Sequence, residues 1–457
     1  MAGVLLRLLL GLCLAGPVQA ATPWTAYFGT HYELADWSSS LRDPGGPGRF
    51  GYWLPSARTE RRMTSADSGS PEELRRLLAR GDVVLNVGGL GSARDGDLVS
   101  AFLDAVRQDR GATWKRELAE RARRVARLPG AAEHIHWQFG NEINGPRSVD
   151  NMARWAGGSR TGLETGLAAV IPVYVEQFLA PGVEALRGVS REVHGDPQHI
   201  RIMLGSLANA RHPRSVRWYE QLLDYTIRGD NAPSLAGRKV HEVVDALSVH
   251  YLASAPDEGW AEVLEGLNKR WVGKGAVRRI WATEELGVRR AQGGYGAATA
   301  LRVAVRYLDW WQRHGWTPDQ GHCFFWGAGM GRPGNRADDA LSLLAGFTGH
   351  VPLTPLSALD SPDLESYFFS VEGDRKRFLV VFPRNGWRMG NLDFASATLP
   401  ASGWQGPVRA RALLFASSGT SHPSATVSAS AAGLRLALER STAIPETGTL
   451  LFLLERD

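Results

Sequence analysis

Strand-like and helix-like segments alternate along most of this chain of 457 residues, and this alternation limits its possible folds more than any other feature. Apolar runs such as 83–87 (VVLNV) and 246–251 (ALSVHY) have the length and composition of buried strands. Segments with helical periodicity separate them. This order predicts an α/β fold with a parallel sheet, and eight such strands close most naturally into a (β/α)8 TIM barrel.

The eight predicted strands lie at 26–31, between 50 and 63, and at 83–87, 134–139, 200–207, 246–251, 279–284 and 321–326. The stretch 145–166 is rich in Gly, Arg and Ser and is predicted to be a long loop after the fourth strand. From about residue 351, short alternating strands follow one another without helical segments. They predict a β-sandwich domain over 351–457, packed on a barrel formed by 21–350.

Residues 1–20 have the features of a signal peptide. A basic residue precedes an apolar run at 8–15, and VQA at 18–20 matches the pattern that a signal peptidase cleaves. The run is too short to cross a bilayer, so no membrane span is expected. Cleavage after Ala20 predicts an exported protein, periplasmic or secreted. Cys323 is then the one remaining cysteine, which leaves no internal disulfide.

Composition excludes some classes of function. The chain carries a formal net charge of +5, but it has no dense run of Lys and Arg that would follow a phosphate backbone. Nucleic acid is therefore not expected as a partner. The 16 Trp are numerous, and an indole ring can stack on the C–H face of a sugar as well as fill a core.

Two predicted strands end in glutamates. Glu142 follows the fourth strand in FGNEINGP, and Glu284 and Glu285 end the seventh in IWATEELG. The carboxyl ends of barrel strands meet at one face, so carboxyl groups from these strands can converge there. Retaining glycoside hydrolysis needs two carboxyl groups about 5 Å apart, one to protonate the leaving oxygen and one to attack the sugar. Such proximity is also expected to keep one of the two protonated near neutral pH.

Two short motifs carry a resemblance to a known family. The pair Asn141-Glu142 after strand four and the pair Thr283-Glu284 in strand seven resemble the acid/base and nucleophile signatures of clan A glycoside hydrolases. The barrel-plus-sandwich layout is similar to glycoside hydrolase family 39 and its relatives. The resemblance implies that Glu142 is the acid/base, that Asn141 holds the sugar 2-hydroxyl, and that Glu284 is the nucleophile.

The same resemblance implies roles for residues at other strand ends. His250 and Tyr251, ending strand six, would steer the nucleophile and the substrate, and Trp326, ending strand eight, would form the floor of the sugar subsite. His31, at the end of the first strand, is a further candidate for sugar contact. The family offers a single glutamate after the threonine, whereas this chain has Glu284 and Glu285. Strand alternation turns one of them inward; Glu284 is favoured, and Glu285 stays open as the alternative nucleophile.

These features predict a retaining glycoside hydrolase that acts on a polysaccharide. Endo action on an exopolysaccharide or envelope glycan, a monomeric state and independence from cofactors are expected. One alternative is a non-catalytic glycan-binding or matrix-associated barrel protein. A second is a metal-dependent hydrolase that uses His134 and His136, because His-x-His on a strand places two ligands on one face. A third ligand is not evident beside them, so no metal is expected.

Overall fold

The protein is an eight-stranded parallel barrel followed by two antiparallel sheets. The computed structural model describes residues 22–31, 49–53, 71–79, 82–87, 96–157, 163–254, 259–285, 295–326, 337–384, 391–400, 404, 406–416, 419–430 and 433–457. The predicted signal peptide at 1–20 lies outside the described residues.

The barrel strands are β1 Phe28–His31, β2 Arg49–Trp53, β3 Val83–Val87, β4 Ile135–Phe139, β5 Arg201–Leu204, β6 Ala246–His250, β7 Arg279–Glu285 and β8 Gly321–Trp326. Each strand pairs in parallel with the next, and β8 pairs with β1 to close the barrel. The predicted (β/α)8 fold is therefore confirmed. Its strand order is the sequence order, so the carboxyl ends of all eight strands lie at the same end.

The helices are α1 Pro71–Leu78, α2 Gly96–Gln108, α3 Ala112–Ala126, the one-turn α4 Ala131–His134, α5 Pro146–Trp155, α6 Leu163–Tyr174, α7 Ala180–His194, α8 Pro213–Asp224, α9 Gly259–Leu267, α10 Tyr295–Arg313 and α11 Ala337–Thr348. A π-helical turn, Val175–Leu179, joins α6 to α7, and another, Asn268–Val272, follows α9. Short 3-10 turns lie at Trp24–Tyr27, Pro233–Leu235 and Val240–Glu242.

The barrel interior is filled with side chains. A layer near its amino-terminal end combines buried residues from five strands: Val84, Met203, Ala246, Trp281 and Phe324. Trp281 is fully buried and supplies the largest volume of this layer. Because the interior is closed by packing, a substrate can reach polar side chains only at an end of the barrel.

The stretch predicted as a loop at 145–166 is largely helical. Gly145 is extended, and Pro146 occupies the first turn of α5, where its fixed φ favours a helix and its missing N–H has no consequence. Val149 and Met152 lie one turn apart and are both buried. The prediction of a loop was wrong for 146–155 because the many Gly, Arg and Ser of the stretch concealed a short apolar stripe. Residues 158–162 of the predicted loop lie outside the described residues.

Among the described residues, one segment has the length and apolarity of a membrane-crossing helix. Within residues 169–194, an 18-residue window has a mean hydropathy of 1.2, but 72% of this window is buried within the protein. The segment runs from α6 through the π-helical turn into α7, and it packs against α3 and β4. Its apolar surface is therefore covered by the barrel.

The C-terminal strands are β9 Leu353–Leu356, β10 Leu364–Val371, β11 Lys376–Pro383, β12 Leu392–Leu399, β13 Val408–Ala416, β14 Gly419–Ser421, β15 Ala425–Ser430, β16 Gly433–Ile444 and β17 Thr449–Arg456. They form a six-stranded sheet, β14-β13-β17-β11-β10-β9, and a three-stranded sheet, β12-β16-β15. Apolar side chains of both sheets form one core between them, so the predicted β-sandwich is confirmed. The other face of the larger sheet packs on α10 of the barrel.

Candidate active site

Three titratable side chains meet at the carboxyl ends of the barrel strands. Glu142 follows β4, His250 ends β6 and Glu284 lies near the end of β7, and one ligand atom from each falls within 4.8 Å of the others. His250 Nδ1 is 2.7 Å from a Glu284 oxygen and 3.5 Å from a Glu142 oxygen. The side chain of Glu142 is 33% exposed, whereas that of Glu284 is 7% exposed. The cluster therefore has one solvent-facing carboxyl group and one recessed carboxyl group.

His250 is a cation between two carboxylates. Burial would lower its pKa, but the charge of Glu284 and the hydrogen bonds with both glutamates outweigh burial and raise the pKa to about 9. Its other nitrogen, Nε2, is 3.1 Å from Thr283 Oγ1, which lies 2.5 Å from Ser248 Oγ. Both ring nitrogens of the imidazolium are donors, so one N–H points to the glutamates and the other to the threonine.

The charge of His250 changes the protonation expected for the carboxyl pair. Burial raises the pKa of Glu142, but the hydrogen bond from His250 and its positive charge lower it below the ordinary value. The expectation that proximity of two carboxyl groups would keep one protonated is therefore wrong for Glu142. The repulsion that would retain a proton there is neutralised by the imidazolium, and the proton lies on His250 instead.

Ser206 fixes the backbone and orientation of the β4 loop. Glu142 has φ of 48°, a left-handed conformation that costs energy for a side chain other than glycine. Its N–H donates to Ser206 Oγ at 2.7 Å, and Ser206 Oγ donates to Asn141 Oδ1 at 3.0 Å. The N–H of Ile143 also donates to the carbonyl of Ser206. With its oxygen engaged, Asn141 presents its amide NH2 group as a donor.

Tyr251 is the second strained residue at the site. Its φ is 53°, and its N–H donates to the carbonyl of Glu284 at 2.9 Å. Burial, followed by the negative charges of Glu284 and Glu142, raises the pKa of the phenol. Tyr251 is therefore a neutral hydroxyl donor beside the carboxyl pair at physiological pH.

Glu285 points away from this cluster. Its carboxylate accepts the N–H groups of Leu252, Ala253 and Ser254 at 2.9, 3.0 and 3.1 Å and the hydroxyl of Tyr307 at 2.8 Å. The side chain is fully buried, and burial raises its pKa. Four donors surround this carboxylate, so its oxygens are engaged within the protein.

A β-bulge separates the directions of the two glutamates. Ala282 pairs with Cys323 and Glu285 pairs with Phe325, so β7 advances three residues where β8 advances two. An extra residue of this kind re-aims the side chains around it. Thr283 and Glu284 both contact His250 as a result, and Glu285 faces α10.

Two further predicted site residues end neighbouring strands. His31 of β1 pairs in register with Trp326 of β8, so their backbones lie at the same end of the barrel as the glutamates. Their side chains lie outside what the structure describes.

The cluster of Glu142, His250 and Glu284 also has the spacing of a metal site. A metal would need His250 as a neutral imidazole. In this structure His250 Nδ1 instead lies 2.7 Å from a Glu284 oxygen, which is the distance of a direct hydrogen bond.

The two histidines of the alternative pair, His134 and His136, both approach Asp82: His134 Nδ1 lies 2.9 Å and His136 Nε2 lies 3.9 Å from the same carboxylate oxygen. His134 ends the one-turn α4 and binds Asp82 at 2.9 Å, whereas His136 lies inside β4. The guanidinium of Arg201 lies 3.4 Å from His136 Nε2, where a cation opposes a metal. Both histidines are at the amino-terminal end of β4, away from Glu142.

Sequence reasoning missed Ser206 and Ser248. Each is fully buried, in the turn after β5 and in β6 respectively, and each binds a candidate residue of the site. A serine inside or directly after an otherwise apolar barrel strand was the available signal, because a buried hydroxyl needs a partner.

Comparisons with known proteins show similarity of structure. No protein-family model matches the chain, and no curated protein sequence matches it. A xyloglucanase of glycoside hydrolase family 44 from Paenibacillus polymyxa has a TM-score of 0.47 and 12% identity, over 96% of this chain and 97% of that one. A glucosidase from Croceicoccus marinus has a TM-score of 0.48 and 10% identity, over 97% and 98%. An endo-β-1,4-mannanase from Cellulomonas fimi has a TM-score of 0.40 and 13% identity, over 95% and 94%.

Proposed function

We propose that the protein is a retaining glycoside hydrolase that acts by double displacement. The observation that carries this proposal is the approach of Glu142 and Glu284, which present carboxylate oxygens within 4.8 Å of each other at the open end of the barrel. Retaining enzymes hold their two carboxyl groups about 5 Å apart, whereas inverting enzymes hold them farther apart to admit water.

Glu284 is the proposed nucleophile and Glu142 the proposed acid/base. Glu284 faces His250 and Glu142, whereas the oxygens of Glu285 are engaged by four donors away from the cluster. Glu142 is the more exposed of the pair, which suits a group that meets both the leaving group and the incoming water. The amide of Asn141 would donate to a sugar hydroxyl beside the bond that breaks.

His250 supplies the proton that the acid step requires. In the first step Glu284 bonds to the anomeric carbon, and the proton passes from His250 Nδ1 through Glu142 to the leaving oxygen. The bond to carbon removes the negative charge of Glu284 that stabilises the imidazolium, so His250 releases its proton at that moment. In the second step water gives its proton to Glu142 and its hydroxide to the sugar, and His250 is protonated again.

We further propose that the substrate is a polysaccharide, cut within the chain, and that it is an exopolysaccharide or envelope glycan. The signal-like residues 1–20 support an exported enzyme, which would meet glycans outside the cytoplasm. The motifs Asn141-Glu142 and Thr283-Glu284 support clan A, with family 39 as the proposed relative. A monomer that needs no cofactor completes the proposal.

The test uses Glu142→Gln and Glu284→Gln, which remove the proton-transfer group and the nucleophile with little change of shape. Each should lower turnover by about two to four orders of magnitude while the protein stays folded. The assay measures new reducing ends on a panel of polysaccharides, and NMR of the first product reads the anomeric configuration. Wild-type turnover by purified Glu142→Gln would refute the proposal. Binding by the wild type without new reducing ends would favour a glycan-binding barrel instead.

A further inference from the structure

A buried ion pair joins the β-sandwich to the barrel. Arg306 of α10 donates from Nε and Nη2 to the two oxygens of Glu365 in β10, at 2.8 and 2.6 Å. The side chains of Arg306 and Glu365 are 1% and 8% exposed. Tyr367 donates to the same carboxylate at 2.6 Å. The contact therefore has the bidentate geometry that fixes an arginine in one position.

The same arginine also holds the backbone after β6. Nη1 of Arg306 donates to the carbonyl of Ala253 at 2.7 Å. The neighbouring residue on α10, Tyr307, donates to Glu285, which in turn accepts the N–H groups of residues 252–254. The segment 252–254 is thus clamped on its carbonyl side by Arg306 and on its amide side by Glu285.

This clamped segment begins directly after the candidate site. Tyr251, with its left-handed φ of 53°, connects His250 to Leu252, and its N–H holds the carbonyl of Glu284. A strained conformation of this kind persists only where the surroundings enforce it. Leu252 and Ala253 are fully buried, so the backbone of 252–254 is held in place. Tyr251 and His250 extend from this fixed segment towards Glu284.

We propose that Glu365, Arg306 and Glu285 are positioning residues, through which the β-sandwich holds Tyr251 and His250 in their working orientation. The β-sandwich is then part of the catalytic apparatus, which rests on the proposed function of Glu142 and Glu284. The chemistry of the pair supports this role, because well-packed apolar residues could join two domains as firmly as a buried ion pair does. An apolar pair would leave the carbonyl of Ala253 without its donor.

The test compares three variants. Glu365→Gln weakens the pair with little change of volume. The double variant Arg306→Met with Glu365→Leu removes both charges, so it leaves no unpaired buried ion and can fold even if Glu365→Gln cannot. Thr449→Val is the matched control. Thr449 is a fully buried sandwich residue whose hydroxyl accepts from Arg302 of α10 at 2.9 Å and donates to the carbonyl of Ala298, also in α10.

Two measurements are made on each folded full-length protein. Hydrogen–deuterium exchange reads the amides of 252–254 without any need for activity, and steady-state kinetics on the glycan reads kcat and KM. Glu365→Gln and the double variant should speed exchange at 252–254 and lower kcat by roughly tenfold or more, with KM changed by less than about twofold. Thr449→Val should leave both readings as in the wild type.

Other outcomes overturn the inference. Unchanged exchange at 252–254 in the double variant would show that the pair does not hold this segment. Faster exchange with an unchanged kcat would show that the segment does not position the site. Equal effects of Thr449→Val would show general loosening of the interface. If the wild type cleaves no glycan, the proposed function fails with it, and so does the catalytic role of the clamp; the exchange data then decide only whether the β-sandwich holds the segment.

Discussion

At the scale of single residues, the unusual feature is one proton shared among three groups. His250 lies between Glu142 and Glu284, with Thr283 behind it. The sequence predicted the two glutamates and the histidine as site residues, but the protonation that it predicted for the carboxyl pair was wrong for Glu142. That property depends on distances of a few ångströms and on burial, and neither can be read from a motif.

The proton on His250 should make stability depend on pH. Its pKa rises from an unfolded value of 6.5 to about 9 in the folded protein. The stabilisation is therefore fully present below pH 6.5 and is lost as pH rises through about 9, with a slope of up to ~1.4 kcal/mol per pH unit. Urea unfolding of the wild type and His250→Gln between pH 6 and 9.5 measures this. The variant should be less stable overall and should lack this decline; parallel curves would contradict the assignment.

Ser206 should matter for turnover because it fixes the orientation of Glu142 and Asn141. Ser206→Ala removes the acceptor of the Glu142 N–H and the donor to Asn141. We expect kcat to fall by roughly 10- to 100-fold, since a displaced catalytic group loses its alignment, and stability to fall by about 1–3 kcal/mol. The control is Ser215→Ala, which removes one hydrogen bond of the neighbouring Asn144. Equal losses in both variants would assign Ser206 a structural role alone.

At the scale of elements, apolar runs in the sequence predicted the barrel strands well. They did not predict irregular features such as the β-bulge in β7. Strands β3 and β8 have the predicted bounds, because a compact run of large apolar residues allows few other structures. Strand β15, ATVSAS, lacks large apolar residues and is partly exposed, so its composition gives little sign of a strand. The sequence could not decide between Glu284 and Glu285 as nucleophile, because the alternation of side chains between the two faces of a strand fails at a β-bulge. The bulge in β7 depends on its pairing with both neighbouring strands, β6 and β8.

Two glycines of helix α7 should respond oppositely to alanine. A Cβ at Gly182 would overlap the ring of Phe139 in β4, whereas a Cβ at Gly188 meets nothing within 4 Å. Gly182→Ala should therefore destabilise the protein by about 1–3 kcal/mol through overpacking. Gly188→Ala should stabilise it by about 0.5–1 kcal/mol, because alanine restricts the unfolded chain and favours the helix. Denaturant unfolding of both variants measures this, and changes of equal sign would show that the close packing of α7 on β4 is wrong.

At the scale of the whole molecule, the six-stranded sheet belongs to two cores at once. Phe378 of β11 is buried with the barrel residues, and the adjacent Leu379 is buried within the β-sandwich. Successive side chains of a strand point to opposite faces, so the continuous apolar run in KRFLVVFP predicts that both faces of β11 are buried. The sequence does not show which part of the protein packs on each face of the sheet. Arg306 and Glu365, which join the sheet to the barrel, lie 59 residues apart and belong to no recognisable motif.

This shared sheet should make the barrel and the β-sandwich unfold together. A chain of this length often unfolds in separate steps, so a single calorimetric transition with matching calorimetric and van't Hoff enthalpies is an informative expectation. Phe378→Ala and Leu379→Ala form a matched pair, both fully buried and adjacent, on opposite faces of β11. Each should destabilise the protein by about 2–5 kcal/mol and move the same single transition to lower temperature. If the two domains unfold independently, Leu379→Ala will instead give a separate calorimetric peak at lower temperature for the β-sandwich. The barrel transition, measured by the loss of glycan cleavage on heating, will then keep its wild-type temperature.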